Sequence, residues 1–352
     1  MKINKIKLHN YRCFADFEME FDPSRNLHIL LAPNMVGKSA LLKGLRIAAS
    51  SFLTKINKGN VGIGKNEHRV FGTNPLSDIA SECAVEAWGE STNWNGRTKE
   101  WENKQYQWKR YRNNLKENTK LVCEGADLTK DSLKRYDKVR ELNEACIPLF
   151  MYAGTEYIHQ PHAKTSFLDA SGDALQGYWY CFMEKSMEQY VFDWLLEMYE
   201  ITLDDRPNAQ MLYEGLPQQF IDTFEQALKK VLPEIEAVAW VKNVGNRKKD
   251  KPYLLTFRLT DGNVRTYEML SDGFRYLVLL VGEMTVRSLL LNKHLGVDVT
   301  EHIDGVVLID EFGIHLHPDR QAESLQRLAE TFPYVQFIVT THSPMAINGL
   351  DK

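Results

Sequence analysis

The chain has 352 residues, 43% of them hydrophobic and 26% charged, with a formal net charge of −4. That composition can bury one large core or two modest ones, which excludes a disordered chain. The near-balanced charge excludes a global basic field, so any nucleic-acid contact would need a local patch. Cys13, Cys83, Cys123, Cys146 and Cys181 show no CxxC spacing, so neither a disulfide framework nor a zinc site is expected and a reducing compartment fits best. The opening MKINKIKLHNYRCF lacks the apolar run of a signal peptide, and no later stretch is apolar for long enough to span a bilayer. A soluble cytoplasmic protein without membrane contact is therefore expected.

In chain order, the alternation of Ile3, Ile6, Leu8 and Tyr11, then of Phe17, Met19 and Phe21, predicts two half-buried strands forming a hairpin. The continuous apolar run 27–31 reads as a strand buried on both faces of a parallel sheet, followed by a loop and a helix that starts near Gly37. Strands are expected again over 83–112, where Trp88, Trp94, Trp101, Tyr106, Trp108 and Tyr111 interleave with Lys and Arg. That ribbon is either an ordinary antiparallel sheet or a surface that stacks bases and tracks a nucleic-acid backbone, with Lys109 and Arg110 the residues to test. The polar stretch 113–137 is expected as a surface excursion leading into a helix over 133–144, and 147–152 as another buried strand. Apolar spacing of three to four predicts amphipathic helices over 178–200 and 217–232, and no sustained heptad repeat points to a coiled-coil arm. Asp261-Gly262 between the apolar runs 254–259 and 264–269 is a hairpin signal.

Four segments carry chemistry. Gly37-Lys38-Ser39, between a buried strand and a helix, is the context of a phosphate loop. Backbone N–H groups at the helix start, including that of Ala40, would face phosphates, Lys38 would supply a point charge, and the Ser39 hydroxyl would complete a Mg²⁺ shell. The apolar run 304–309 ends in Asp310-Glu311, which suits one acid to the metal through its water shell and the other to the attacking water, unless both merely cap the next helix. A further buried run, 336–341, delivers His342 to the carboxyl edge of the same sheet, where it would face a γ-phosphate. Leu270-Ser271-Asp272-Gly273-Phe274-Arg275 opens a long apolar helix and offers a second anion-binding N-terminus, a weak signal on its own.

The order and spacing of IKLHNYRCF, the phosphate loop, LSDGFR, VVLIDEFGIHLHP and VTTHSP resemble the ABC-type ATPases of the RecF, SMC and OLD nuclease class. The likeness is greatest to compact bacterial ATPases of phage defence such as the Septu ATPase. It covers the two ends of the chain well and the middle poorly. It implies an α/β P-loop NTPase head with a mostly parallel core sheet, an antiparallel β-subdomain and a helical lobe. A single ATPase domain over 1–352 is expected, divided into an N-terminal lobe (1–160), a helical lobe or insertion (161–250) and a C-terminal lobe (251–352). The resemblance further implies that Asn34, Gly37, Lys38, Ser39 and Ala40 hold ATP, that Ser39 and Asp310 hold Mg²⁺, and that Glu311 and His342 act with Lys38 in catalysis. Ser271 and Gly273 would then act in trans, closing an ATP sandwich in a homodimer or a higher oligomer. Arg12 is expected to approach the nucleotide or to lie on the surface, and Gln160 is a candidate metal-side glutamine.

Two departures bear on function. The family places glycine where this chain has Ala32, and a permissive residue where it has Met35. A β-carbon at a position needing positive φ costs on the order of 1 kcal/mol or more. Three functions follow: an ATPase whose dimerisation gates a nucleic acid or a partner effector such as a nuclease or toxin, in anti-phage defence; a nucleotide-sensing scaffold with little turnover; or a RecF-like DNA repair ATPase. OLD relatives continue past the histidine segment into a nuclease domain, and here the sequence given stops at Lys352.

Overall fold

The computed structural model describes residues 1–33, 35–56, 59–74, 77–155, 157, 174–184, 187–203, 216–243, 252–314 and 316–346. At its centre lies a four-stranded parallel sheet in the order β3 (Leu27–Leu31), β12 (Tyr334–Thr341), β11 (Asp304–Ile309), β7 (Leu149–Ala153). The register pairs Ile309 with Val339 and with Ala153, and Thr341 with Leu31, so the carboxyl ends of the strands share one edge. Gly305 makes the closest approach in this sheet. Its φ is 144°, and a β-carbon there would sit 1.9 Å from the carbonyl oxygen of Leu149.

Period-two alternation turns this sheet into a wall between two cores. Leu149, Met151, Ala153, Val307, Ile309, Phe337 and Val339 face helices α3 (Glu188–Thr202), α4 (Leu216–Val231), α5 (Asp272–Leu291) and α7 (Pro318–Thr331). Phe150, Tyr152, Val306, Leu308 and Ile338 face the other way, toward α1 (Lys38–Ser50) and a five-stranded antiparallel sheet. A short helix α6 (Val299–His302) leads into β11.

The antiparallel sheet runs in the order β2 (Phe14–Glu20), β1 (Lys2–Tyr11), β4 (Cys83–Asn95), β5 (Glu100–Arg112), β6 (Lys120–Glu124), and the opening strands form the expected hairpin. It clamps α1 through Trp108, whose indole N–H donates to the Ala48 carbonyl at 3.0 Å. A second antiparallel sheet orders β10 (Val264–Thr266), β9 (Tyr253–Leu259) and β8 (Ile235–Lys242), with Gly262 at φ 83° in the turn expected at Asp261-Gly262.

Three expectations change. The excursion over 113–137 contains β6, and its helix α2 (Leu128–Leu142) begins earlier than the predicted 133 because Asp127 caps it, accepting from the backbone N–H groups of Thr129 and Lys130. The helix expected over 178–200 begins at Glu188. Before it, a short 3-10 helix (Ala174–Tyr178) passes into turns at 179–182, where buried Arg287 draws the carbonyls of Gly177 and Trp179 to its Nη1 at 2.7 and 2.9 Å. The basic ribbon is also less basic at its surface than its sequence implies. Arg110 and Arg112 are buried (3% and 6% exposed), and their guanidinium groups tie down the segment 54–63 by donating to Thr54, Asn60, Val61 and Ile63. The expected lobe boundaries at 160/161 and 250/251 lie outside the described residues.

Candidate nucleotide-binding site

The shared carboxyl edge of β3, β11 and β12 gathers segments that are far apart in sequence. Helix α1 starts directly at Lys38, and its N-cap is Gly37 at φ 100°. Glycine offers no side chain to satisfy the first helical N–H groups, and the first turn holds no acid, so this end keeps its positive character for an external anion. A β-carbon at Gly37 would lie 2.6 Å from Cys13 Sγ and 2.7 Å from Phe14 Cζ, so the turn between β1 and β2 closes on the loop from the other side.

The Lys38 ammonium donates to the carbonyls of Ala32 and Pro33, the latter at 3.0 Å, and lies 3.3 Å from Nδ1 of His342. These partners are two backbone carbonyls and an imidazole nitrogen, and among the described residues no carboxylate pairs with Lys38. One turn edge away, the Ser39 hydroxyl donates to Asp310 Oδ1 at 3.1 Å. Asp310 is only 4% exposed, and its other partners are hydroxyls as well: Thr340 Oγ1 donates to Oδ1 at 2.6 Å and Tyr152 to Oδ2 at 3.5 Å. Burial, reinforced by the neighbouring Asp310 carboxylate, pushes the Tyr152 phenol well up, which keeps it a donor.

A buried carboxylate beside a serine hydroxyl is a hard-oxygen set, and Mg²⁺ is commonly held by one or two protein oxygens together with substrate phosphates and water. The residues present therefore fit Mg²⁺-ATP.

Glu311 follows on the open side, with φ 57°, its carboxylate 3.6 Å from His342 Nε2. Its backbone N–H donates to Thr340 Oγ1 at 2.8 Å. Lys38, Ser39, Asp310, Glu311 and His342 thus meet at one place. The two departures in the loop separate here. Ala32 is not among the left-handed residues and needs no glycine, whereas Met35 does adopt φ 67° and is fully exposed. Its strain is the residue of the expected cost.

Other expected site residues lie elsewhere. Arg12 turns to Glu67, 3.6 Å away, while its neighbours Cys13 and Phe14 are the ones that touch the phosphate loop. Ser271 is exposed at the N-cap of α5 and Gly273 is buried in its first turn. Among the described residues no hydrogen bond or ion pair joins either to the cluster around Asp310. Helix α5 packs against that cluster, with the rings of Tyr276 and Phe312 edge to face at 6.0 Å. Asn34 and Gln160 lie outside the described residues. Sequence reasoning missed Thr340 and Tyr152. Their only signals were a hydroxyl near the end of one apolar strand and a phenol near the end of another.

A family model described as an AAA ATPase domain matches residues 1–347. Among curated relatives, the Retron Vc95 probable ATPase of Vibrio cholerae is 38% identical over 27% of this chain and 18% of its own length. The Septu protein PtuA of Bacillus mycoides is 39% identical over 24% and 11%, and the Retron Ec83 probable ATPase of Escherichia coli is 41% identical over 24% and 15%. The matched segments span less than a fifth of those proteins. An Smc head bound to the C-terminal winged-helix domain of ScpA superimposes with a TM-score of 0.52 at 13% identity, covering 97% of this chain and 90% of that one. An Smc head bound to the C-terminal domain of ScpA derived from Pyrococcus furiosus gives 0.51 at 13% identity over 98% and 90%. The fold is that of an SMC-type ATPase head.

Proposed function

Because the chain belongs to the AAA ATPase domain family, we propose that it binds ATP with Mg²⁺ at the edge of its parallel sheet and hydrolyses it. One observation carries the reading: a lysine, a serine, two acids and a histidine, drawn from three segments of the chain, converge at a helix N-terminus. In this reading the N–H groups from Gly37 to Ala40 cradle the phosphates, and Lys38 leaves the Ala32 and Pro33 carbonyls to neutralise the β and γ groups. Ser39 and Asp310 hold Mg²⁺, which when bound spreads the charge that develops on the phosphoryl oxygens. Glu311 orients the attacking water and accepts its proton. His342, between Lys38 and Glu311, hydrogen-bonds the γ-phosphate.

Ser271 and Gly273 present a second helix N-terminus, which among the described residues makes no hydrogen bond or ion pair with its own chain's cluster. That supports a homodimer in which the α5 N-terminus of one copy covers the nucleotide on the other. The same unit could build a higher oligomer. Likeness to retron and Septu ATPases supports the further reading that the ATP cycle controls a partner effector, a nuclease or toxin, in anti-phage defence. No described helix is long and apolar enough to cross a membrane.

The test is steady-state phosphate release compared with Glu311→Gln, alongside the molar mass in solution with and without ATP. The expected result is a loss of turnover of at least a hundredfold in the variant, with a dimer that accumulates only when ATP is present. A second reading, a nucleotide sensor with little turnover, draws on the strained Met35 in the phosphate loop. Equal phosphate release by parent and variant would favour it. A RecF-like role on DNA gains nothing from the ribbon, since Arg110 and Arg112 serve the fold.

A further inference from the structure

We propose that Thr340 is a positioning residue whose single hydroxyl sets the geometry of both acids at the site. This rests on the ATPase reading above and names a residue that reading does not use. A threonine hydroxyl has one proton to give and two lone pairs. Here the proton goes to Asp310 Oδ1 at 2.6 Å, at the short end of the range for a hydroxyl donating to oxygen. A lone pair takes the Glu311 N–H at 2.8 Å. Thr340 is fully buried, so no water competes for either bond.

The position of this hydroxyl explains why it matters. The parallel ladder between β11 and β12 ends at the Ile309–Val339 pair, so the backbone from Asp310 onward has no strand register to hold it. There the chain turns into the left-handed conformation at Glu311 (φ 57°), which a non-glycine residue adopts only when its surroundings impose it. Three bonds impose it. The Asp310 N–H goes to the Ala153 carbonyl at 2.8 Å, the Phe312 N–H to the Thr340 carbonyl at 2.8 Å, and the Glu311 N–H to the Thr340 hydroxyl. Only the third depends on a side chain, and it alone also touches the carboxylate assigned to the metal.

The neighbouring Thr341 uses its hydroxyl differently, donating to the Phe312 carbonyl at 3.1 Å and accepting from the Ser343 N–H at 3.1 Å. Through these two threonines the strand that ends in His342 fixes the loop that carries Asp310 and Glu311. A change at the histidine end of β12 is therefore felt by both acids without passing through nucleotide.

The experiment compares the parent with Thr340→Val, which keeps the shape and removes the hydroxyl, and Thr340→Ser, which keeps the hydroxyl and removes the methyl group. Hydrogen exchange of a peptide spanning 309–314 is measured without nucleotide, then nucleotide affinity without Mg²⁺, then kcat and the Mg²⁺ concentration for half-maximal rate. Thr340→Val is expected to speed exchange in that peptide and to leave Mg²⁺-free nucleotide affinity within about threefold. Its kcat should fall at least tenfold and its Mg²⁺ requirement rise, as the loss of a hydrogen bond to a charged group implies. Thr340→Ser should recover exchange and most of kcat. If Thr340→Val does not fold, Thr340→Cys is read against the same outcomes. Unchanged exchange in the valine variant, or a serine variant as impaired as the valine one, overturns the proposal. A parent protein with no Glu311-dependent hydrolysis overturns the ATPase reading and this one with it, whereas a parent that hydrolyses ATP as fast as Thr340→Val refutes this inference alone.

Discussion

Replacing Gly37 by alanine puts two separable penalties on the phosphate loop. Backbone at φ 100° costs an L residue roughly 1–2 kcal/mol. The new β-carbon also meets Cys13 Sγ at 2.6 Å and Phe14 Cζ at 2.7 Å, and forced overpacking of this kind costs about 1–3 kcal/mol. Together they exceed what a surface loop can hold, so the loop moves away from the helix start instead of unfolding the domain. Melting temperature should change little while nucleotide affinity falls by about 30- to 4,000-fold, since each ~1.4 kcal/mol is tenfold. The assay is equilibrium titration with a fluorescent ATP analogue, with thermal melting as the control for folding. Adding Cys13→Ala removes the sulfur contact and should recover part of the loss but not all, because the φ penalty and the Phe14 contact stay. Gly37→Ala binding within threefold of the parent would falsify the placement of phosphates at this helix end. Full recovery in the double variant would show that the backbone there is not strained.

Two further outcomes follow from the same geometry. Arg110→Ala removes the anchors to Thr54, Asn60 and Val61, and should cost about 2–4 kcal/mol in chemical denaturation, because a buried charged hydrogen-bonding group is lost. Burial lowers that guanidinium to about 10, as expected for a cation with only neutral acceptors. Lys109→Ala, on the exposed face of the same strand, should leave stability unchanged, and an equal loss in both variants would contradict this division of the ribbon. Asp127→Ala should destabilise α2 by about 1 kcal/mol at neutral pH, as loss of an N-cap does. Burial raises the Asp127 carboxyl, but hydrogen bonds from Thr129 and Lys130 outweigh it and bring the group down to about 2. A carboxyl depressed in the folded state stabilises above its unfolded value, 3.8, and loses that contribution as the pH falls toward about 2. The stability difference between parent and variant should therefore shrink across that interval, and a difference independent of pH would contradict the cap.

The sequence by itself determined the strands of the central sheet and pointed to the residues that gather at its edge. Short apolar runs at 27–31, 304–309 and 336–341 have few alternatives to buried parallel strands, and Gly37-Lys38-Ser39, Asp310-Glu311 and His342 stand at their ends, where chemistry is placed in such sheets. Local periodicity was also enough for the opening hairpin and for α4.

What it did not determine depends on contacts between residues distant in the chain. Whether Arg110 faces water or the residues Thr54, Asn60 and Val61 is decided by the pleat of β5 against α1, and whether the chain around Trp179 is helical is decided by Arg287, more than a hundred residues later. The same holds for the departures in the phosphate loop. A missing glycine matters only where the backbone turns left-handed, which the fold requires at Met35 and not at Ala32. Thr340 shows the limit most plainly. In sequence it is one more polar residue near the end of an apolar strand, and only the parallel register of β11 and β12 brings its hydroxyl to Asp310 and Glu311. Residue chemistry is local and can be read along the chain, whereas hydrogen-bond partnership requires the two groups to be adjacent in space, and that is set by packing.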